Sequence, residues 1–407
     1  MNTTITNLFA GAAMAALLVT AGLAGPVAPT NPAQFRASHL RSYPYGPHAN
    51  QQAGLGKVLT TKDGGQIFGF DIDQNGDDGV LASAVVGGTA VSVETFDQDT
   101  GKITSSFATK NGAKNSYGVD GIAAGDVALV THYVTPKGSI YAKRVYATMD
   151  PVTADAFTGA WTSPVKDIEV EELAENQSTT TSVLFAIELQ KQDDPILVVT
   201  NIAANTVSKT IKLNPNLFAL GNGPQLGQYI AANEAFIAES PDYGAVGGDP
   251  PINFTFDLAT GKSRQFNGYN NGPFHAGDVN GAAVDPNTGI AATDTELNAQ
   301  VELYDMNAQK GITFVQLPCT SNTAQLNSGS GIAVDPVNKL FLVTETYNAC
   351  GSGSALIVYD EAGNLIETIT GFNFGIGEPA PALNPSKRMG WAFSGPGGVS
   401  QLQQFFY

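Results

Sequence analysis

The 407-residue sequence predicts an all-β repeat protein, and three observations support this prediction. Glycine and proline are abundant, with 45 and 22 residues, whereas charged residues make up only 14% of the chain. A pattern of an alternating strand, a bulky residue, an aspartate and a turn recurs at a spacing of about fifty residues. Short alternating segments between these recurrences predict further strands.

The composition excludes several classes of protein. Hydrophobic residues reach 43%, which is too many for a chain that is disordered because of its charge. The glycine content argues against a coiled coil or a long helical bundle. Lys and Arg number 20 against 37 Asp and Glu, so the net charge of −17 repels phosphate backbones. We therefore expect no nucleic-acid partner.

The first 55 residues predict an export signal followed by an arm. Residues 8–23 form an apolar run rich in small residues, and Gly22-Leu23-Ala24 fits a cleavage site after Ala24. Residues 1–24 are thus predicted to be a signal peptide. Because residues 1–7 lack Lys and Arg, an uncleaved N-terminal anchor is the alternative. Residues 25–55, a Pro/Ala-rich stretch without periodicity, predict an extended arm. We expect a secreted or periplasmic protein with no membrane insertion after signal removal.

The repeat continues to the last residues of the sequence. Its aspartates are Asp97, Asp150, Asp257, Asp305 and Asp360. The wide gap between the second and the third accommodates a divergent copy at 195–205, and one further period leads to 404–407. The sequence therefore predicts seven units.

Each unit contains about four predicted strands. In the clearest unit they are Gly331–Pro336, Lys339–Thr344, Ala355–Asp360 and Asn364–Thr370. Asp-Pro and glycine-containing turns separate them. Four antiparallel strands per unit, repeated radially, are typical of a β-propeller. A solenoid is the competing repeat architecture, but its repeats are shorter and usually carry one strand or a helix.

The prediction is therefore a seven-bladed β-propeller over residues 56–407, with four antiparallel strands per blade. The seventh unit ends after its third strand. Lys57–Thr61, just before the first unit, can supply the missing outer strand. Closure of the last blade by an N-terminal strand would remove both sheet edges.

Two segments resemble a known group of proteins. Gly331–Thr344 (GIAVDPVNKLFLVT) and Gly281–Thr293 are similar to the inner strand pairs of secreted NHL- and YncE-type seven-bladed propellers. The resemblance extends over about residues 56–407. It implies the propeller fold, but related propellers include scaffolds, binding proteins, lactonases and lyases, so it implies no single activity.

A series of titratable residues marks the predicted second strands. His132, Glu239, Asp294 and Glu345 end four of these strands, and His275 and Asp278 lie in the link that enters the fifth unit. Carboxylates and histidine gathered at one face can bind a divalent cation or perform acid–base chemistry. The alternative is that these side chains cap strand ends or face water.

Asp71, Asp73, Asn75 and Asp77 predict a structural calcium site. Oxygen ligands at alternate positions around Gly76 match the start of a calcium loop and resemble the calcium hairpins of some integrin-type propellers. The distal acidic ligand is missing, since that position holds Ala82, so an acidic turn without metal is the alternative. Ca²⁺ or another divalent cation is the expected cofactor, and nothing indicates an organic cofactor.

Cys319 and Cys350 are the two cysteines of the sequence. An even pair in an exported protein predicts a disulfide, and no zinc-ligand spacing surrounds them. The predicted strands place both residues in links on one face of neighbouring blades.

Two functional hypotheses follow. The first is a secreted binding or scaffold protein that uses this face for a small-molecule, glycan or protein ligand. The second is a metal-dependent propeller hydrolase or lyase, similar to a lactonase. No catalytic sequence motif decides between them.

Overall fold

The structure is a computed structural model of the chain. It describes residues 53–61, 64–74, 76–84, 92–108, 119–123, 126–134, 140–147, 159–162, 169–176, 183–190, 194–201, 206–212, 225–231, 234–239, 252–257, 262–267, 279–285, 287–295, 300–316, 329–345, 354–374, 380–394 and 401–407. Within these ranges the regular structure consists of strands, and no helix is long and apolar enough to cross a membrane.

The described strands pair into seven four-stranded antiparallel sheets. The N-terminal strand is β1 (Gly54–Thr60). Sheets one to three contain, in order, β2 (Gln66–Ile72), β3 (Asp78–Ala84), β4 (Ser92–Asp97), β5 (Ile103–Ala108); β6 (Val119–Ala123), β7 (Asp126–Val134), β8 (Ile140–Ala147), β9 (Gly159–Thr162); β10 (Glu169–Asn176), β11 (Val183–Gln190), β12 (Asp194–Asn201) and β13 (Thr206–Lys212).

Sheets four to seven follow the same order. They contain β14 (Gln225–Ala231), β15 (Glu234–Glu239), β16 (Ile252–Asp257), β17 (Ser263–Asn267); β18 (Val279–Val284), β19 (Ile290–Thr295), β20 (Gln300–Asp305), β21 (Lys310–Gln316); β22 (Gly329–Asp335), β23 (Leu340–Glu345), β24 (Ser354–Asp360), β25 (Leu365–Phe372); and β26 (Ala382–Asn384), β27 (Met389–Phe393), β28 (Gln401–Phe406).

The repeat aspartates lie at one position of the sheets. Asp97, Asp257, Asp305 and Asp360 each end a third strand, as the repeat predicts, while Asp150 lies outside the described residues. The divergent copy at 195–205 begins within β12, which is also a third strand. The aspartates start the turns to the fourth strands. Asp360 Oδ1, for example, accepts hydrogen bonds from Ala362 N at 3.0 Å and Asn364 N at 2.8 Å.

The outer strand of the seventh sheet comes from the N-terminal part of the chain. β1 pairs with β28 in antiparallel register, with Leu59 opposite Leu402 and Gly54 opposite Phe406. The strand order of this sheet is therefore β1-β28-β27-β26. The strand predicted over Lys57–Thr61 is present and begins three residues earlier, at Gly54.

Apolar side chains fill the spaces between consecutive sheets. One cluster joins sheets seven and one around Trp391 and Phe96, whose rings meet edge to face at 5.3 Å. A second, around Phe405, joins sheets six and seven, and a third, around Phe341, joins sheets five and six. The first strand of each sheet also contacts the first strand of the next, and β26 contacts β2.

The antiparallel order gives every sheet two different ends. Turns between strands one and two and between strands three and four lie at one end, which we call the turn face. Connections from strand two to strand three, and from one sheet to the next, lie at the other end, which we call the link face. The strands β21 and β23 end at the link face, whereas residues 336–339 form a typical turn of the turn face.

Candidate functional site

Four residues of the predicted titratable series lie in the second strands of their sheets. His132 lies in β7 opposite Ala142, and Glu239 ends β15 opposite Ile252. Asp294 lies in β19 opposite Val301, and Glu345 ends β23 opposite Ala355. All four therefore lie towards the link face of their own sheets. His275 and Asp278 lie outside the described residues.

Glu345 is the member of this series whose side chain the structure describes in detail. It is 0% exposed, and neither carboxylate oxygen has a hydrogen-bond partner among the described residues. Strand alternation places it on the same side of β23 as Phe341 and Val343, which pack against sheet five. A charged carboxylate in such surroundings is costly unless a partner compensates for its lost hydration.

Burial determines the protonation of Glu345. Desolvation raises the pKa of its carboxyl from 4.5 to about 8. Burial and the nearby charge of Glu345 also raise the pKa of Tyr359. At neutral pH Glu345 is therefore mainly a neutral acid, which can donate a hydrogen bond or exchange its proton for a cation.

The predicted calcium loop corresponds to turns in other sheets. It joins Asp73 to Asp78, just as turns join Asp285 to Ile290, Asp335 to Leu340 and Asn384 to Met389. Asp73 N donates to Asp78 O at 2.9 Å, and Asp285 N donates to Ile290 O at 2.8 Å. In the later turns the first side chain accepts from the turn that follows. Asp335 Oδ1, for example, accepts from Val337 N and Asn338 N, each at 2.9 Å.

The structure describes three of the four predicted calcium ligands. Asp73 is buried, Asp71 Oδ1 accepts from Ile72 N at 2.8 Å, and Asn75 lies outside the described residues. Asp77 forms an ion pair with Lys387 Nζ from the seventh sheet. Within the described ranges no three His, Cys, Asp or Glu side chains are grouped to hold a metal ion. Calcium at this turn stays a prediction, and a cationic side chain is already paired with Asp77.

Sequence analysis missed a series of asparagine bridges on the turn face. Asn287 Nδ2 donates to Pro336 O at 3.2 Å, and Asn338 Nδ2 donates to Pro385 O at 3.5 Å. Asn384 Nδ2 donates to Gly76 O at 3.0 Å. Each bridge runs from the first turn of one sheet to the first turn of the next, joining sheets five, six, seven and one. The sequence feature that could have indicated these bridges is the asparagine present in each of the aligned turns.

The structure does not test the cysteine prediction. Cys319 and Cys350 lie in the connections 317–328 and 346–353, outside the described residues. The described strands that precede these connections, β21 and β23, end at the link face. The disulfide itself stays a prediction.

Comparison with known proteins identifies the fold. No family model matches the sequence, and no curated protein matches it. Among solved structures, the WD40 repeats of RRP9 align with a TM-score of 0.60 at 12% identity, covering 87% of this chain and 98% of that one. The structure of U3-55K aligns with a TM-score of 0.59 at 11% identity, covering 86% and 98%. These similar structures are WD40 propellers, so they do not support the more specific NHL or YncE type. Together with the four-stranded antiparallel sheets, they show that the chain has a β-propeller fold.

Proposed function

We propose that this chain is a seven-bladed β-propeller that acts as a binding scaffold, with its ligand on the link face. The seven described sheets, the contact of β26 with β2 and the pairing of β1 with β28 support a closed ring. Propellers commonly serve as rigid platforms, and the similar structures, which are WD40 propellers, are consistent with a protein-binding role.

The observation that carries the proposal is the unpartnered carboxyl of Glu345. A wholly buried acid with both oxygens unpaired among the described residues is costly to a protein unless something compensates for it. It ends a second strand, and Glu239 ends another, while His132 and Asp294 lie near the ends of theirs. These residues mark the part of the link face at which we place the ligand.

The chemistry of Glu345 suggests a ligand with a cationic or hydrogen-bond-donating group. A cation can displace the proton of Glu345, and the resulting carboxylate offers acceptors only, while the net charge of −17 attracts cations over long range. On the turn face, three asparagine side chains are already engaged in bridges between sheets. The ligand itself is a small molecule, a glycan or a protein.

Thermal-shift and calorimetric titrations with Ca²⁺, Mn²⁺, Zn²⁺ and spermidine test this proposal. We expect at least one cation to bind the wild type, and Glu345→Gln to weaken that binding by about tenfold or more, since one charged contact is lost. Glu367→Gln is the matched control, because it makes the same chemical change on the outer strand β25 and should bind like the wild type. Equal affinities in wild type and Glu345→Gln would refute the role of Glu345.

A metal-dependent hydrolase or lyase, similar to a lactonase, is the second candidate. It is favoured by the same side chain, because an acid with a pKa near 8 is suited to proton transfer at neutral pH. A panel of lactones and esters, assayed with and without chelator, separates the two functions. Chelator-sensitive turnover that is lost in His132→Ala and Glu345→Ala would favour the enzyme over the scaffold.

We also propose that the protein is exported and that Cys319 and Cys350 form a disulfide. The described strands that precede the two residues end at the link face of neighbouring sheets, and an oxidising compartment would preserve the bond. Replacing both with Ser should destabilise the fold by about 3 kcal/mol and lower the melting temperature by several degrees. Mass spectrometry of the non-reduced secreted protein provides the direct check. Two free thiols would contradict the prediction.

A further inference from the structure

Asp285 occupies an unusual position on the turn face. It begins the turn between β18 and β19 and is 0% exposed. Its Oδ1 atom accepts a hydrogen bond from Asn287 N at 2.7 Å. Its Oδ2 atom is buried and has no hydrogen-bond partner in the described part of the chain.

A carboxyl group of the neighbouring sheet lies at the same turn. Glu361 lies in the turn between β24 and β25 of sheet six, and Thr288 Oγ1 donates to its Oε1 atom at 2.5 Å. Thr288 N also donates to Asp285 Oδ1 at 3.4 Å, so one residue holds both carboxyl groups at this turn, and Glu361 acts on Asp285 through hydrogen bonding and charge. Two carboxylates cannot bond to each other, because both only accept. One proton between them converts the contact into a strong hydrogen bond.

In the equivalent turns of sheets six and seven, the buried side chain that begins the turn has hydrogen-bond donors instead of a second carboxyl. Asp335 begins the corresponding turn of sheet six, and its Oδ2 atom accepts from Asn338 Nδ2 at 2.6 Å and from Tyr407 Oη at 2.9 Å. In sheet seven the position is Asn384, whose amide is itself a donor. Of these three turns, the one in sheet five places a carboxyl against a carboxyl.

We propose that Asp285 and Glu361 share one proton, which joins sheets five and six at the turn face, and that loss of this proton loosens the junction. This proposal goes beyond ligand binding, since it concerns the opposite face of the sheets. The fold would then contain a junction that responds to pH.

The surrounding groups agree with this proposal. Burial, followed by the hydrogen bond and the charge of Glu361, raises the pKa of Asp285 from 3.8 to about 7. Titratable or charged residues in the adjacent turns are Asp305, Asp335, Lys339, Asp360 and Glu361. Glu361 is the one among them that raises the pKa of Asp285. Because the folded pKa is above the unfolded value, the stabilisation is present at acidic pH and is lost as the pH rises through about 7.

Asp285→Asn tests the proposal, because an amide supplies the missing donor without a proton. We expect the melting temperature of the wild type to fall between pH 5 and pH 9 by about 2–5 °C more than that of the variant. Other groups, including Glu345, titrate in both proteins, so their effect cancels in the difference between the wild type and the variant. Glu361→Gln replaces the partner acid with a donor and should behave in the same way.

Asp335→Asn is the matched control in the next sheet. The new amide group would face Asn338 Nδ2 and Tyr407 Oη, the two donors that now bond to Asp335 Oδ2. The variant should therefore have a lower melting temperature than the wild type at both pH values. Hydrogen-exchange mass spectrometry of peptides that contain residues 284–290 and 357–365 localises the effect. Above neutral pH, wild-type peptides should exchange faster than those of Asp285→Asn. An identical pH response in wild type, Asp285→Asn and Glu361→Gln would overturn the shared proton.

Discussion

Lys387 brings its ammonium group into the junction between the seventh sheet and the first. Its side chain is 8% exposed, and it pairs with Asp77 and, at 2.9 Å, with Asp99. The hydrogen bonds and charges of these two acids outweigh burial and raise the pKa of Lys387. One residue therefore ties two turns of sheet one to the last sheet.

Replacing Lys387 with Met should lower the stability of this junction. We expect a loss of about 1–2 kcal/mol, less than for a fully buried ion pair because Asp77 is 73% exposed. Thermal unfolding at low and high salt measures the effect, and the difference between the variants should shrink as salt screens Asp77. Lys339→Met, at an exposed position of a corresponding turn, is the control. Equal melting temperatures for Lys387→Met and Lys339→Met would exclude a stabilising role for the ion pair.

The buried acid Glu345 should make stability depend on pH. Its pKa of about 8 in the folded protein exceeds the ordinary value of 4.5, so the folded state retains a proton that the unfolded state loses. Between these pH values its contribution should fall by about 1.4 kcal/mol per pH unit as the pH rises. Urea unfolding of wild type and Glu345→Gln at several pH values tests this. If the unfolding free energy of Glu345→Gln changed with pH as steeply as that of the wild type, the raised pKa of Glu345 would be contradicted.

At the scale of elements, sheets one, five and seven place a small residue of the second strand opposite an aromatic residue of the third. Gly79 in β3 lies opposite Phe96 in β4, and Gly390 in β27 lies opposite Phe405 in β28. A Cβ atom on either glycine would overlap the opposing ring. Sheet five has Ala291 opposite its aromatic residue, Tyr304. In sheets one and five this aromatic residue directly precedes the repeat aspartate and lies across from a small residue.

Gly79→Ala should therefore destabilise the first sheet. The Phe96 ring is wholly buried against Trp391 and cannot move outward without strain, so we expect a cost of about 1–3 kcal/mol. Phe96→Leu in the Gly79→Ala background provides the rescue, since a smaller side chain leaves room for the methyl group. Chemical unfolding of the single and double variants measures the coupling. Additive losses would argue against a steric origin.

Much of this element-level arrangement could be predicted from the sequence. Alternation and Asp-containing turns place the third strands, because residues such as Phe96 and Asp97 repeat with a regular period. The candidate site was only partly predictable. The positions of His132 and Glu345 at strand ends follow from alignment of the strands, but the burial of Glu345 depends on packing between sheets. The ion pair between Lys387 and Asp77 joins residues that are distant in sequence, so no local spacing predicts this ion pair.

At the scale of the whole molecule, stability depends on the strand that joins the two distant parts of the chain. Leu59 in β1 is 1% exposed and belongs to the cluster between sheets seven and one. Its neighbour Val58 is 53% exposed on the other side of the strand. The N-terminal strand is thus fixed both by its ladder with β28 and by a buried side chain.

Leu59→Ala should weaken this attachment strongly. A buried leucine reduced to alanine typically costs about 2–5 kcal/mol, and Val58→Ala should cost little because that side chain faces solvent. Thermal unfolding gives the overall loss, and limited proteolysis near residue 60 reports local release of β1. If Val58→Ala were as damaging as Leu59→Ala, packing of Leu59 would not be the cause.

The split origin of the seventh sheet determines the order in which the protein can be assembled. Lys57 N and Gln404 Oε1, which are 3.1 Å apart in space, are separated by 347 residues along the chain. During synthesis, β1 emerges long before its partner β28 exists and must wait as an unpaired edge while the intervening sheets form. Contacts this distant in sequence close late and slow the overall folding rate. Completion of the last sheet is therefore a late kinetic step, and the waiting strand is the point at which a growing chain is most exposed to mispairing with another copy.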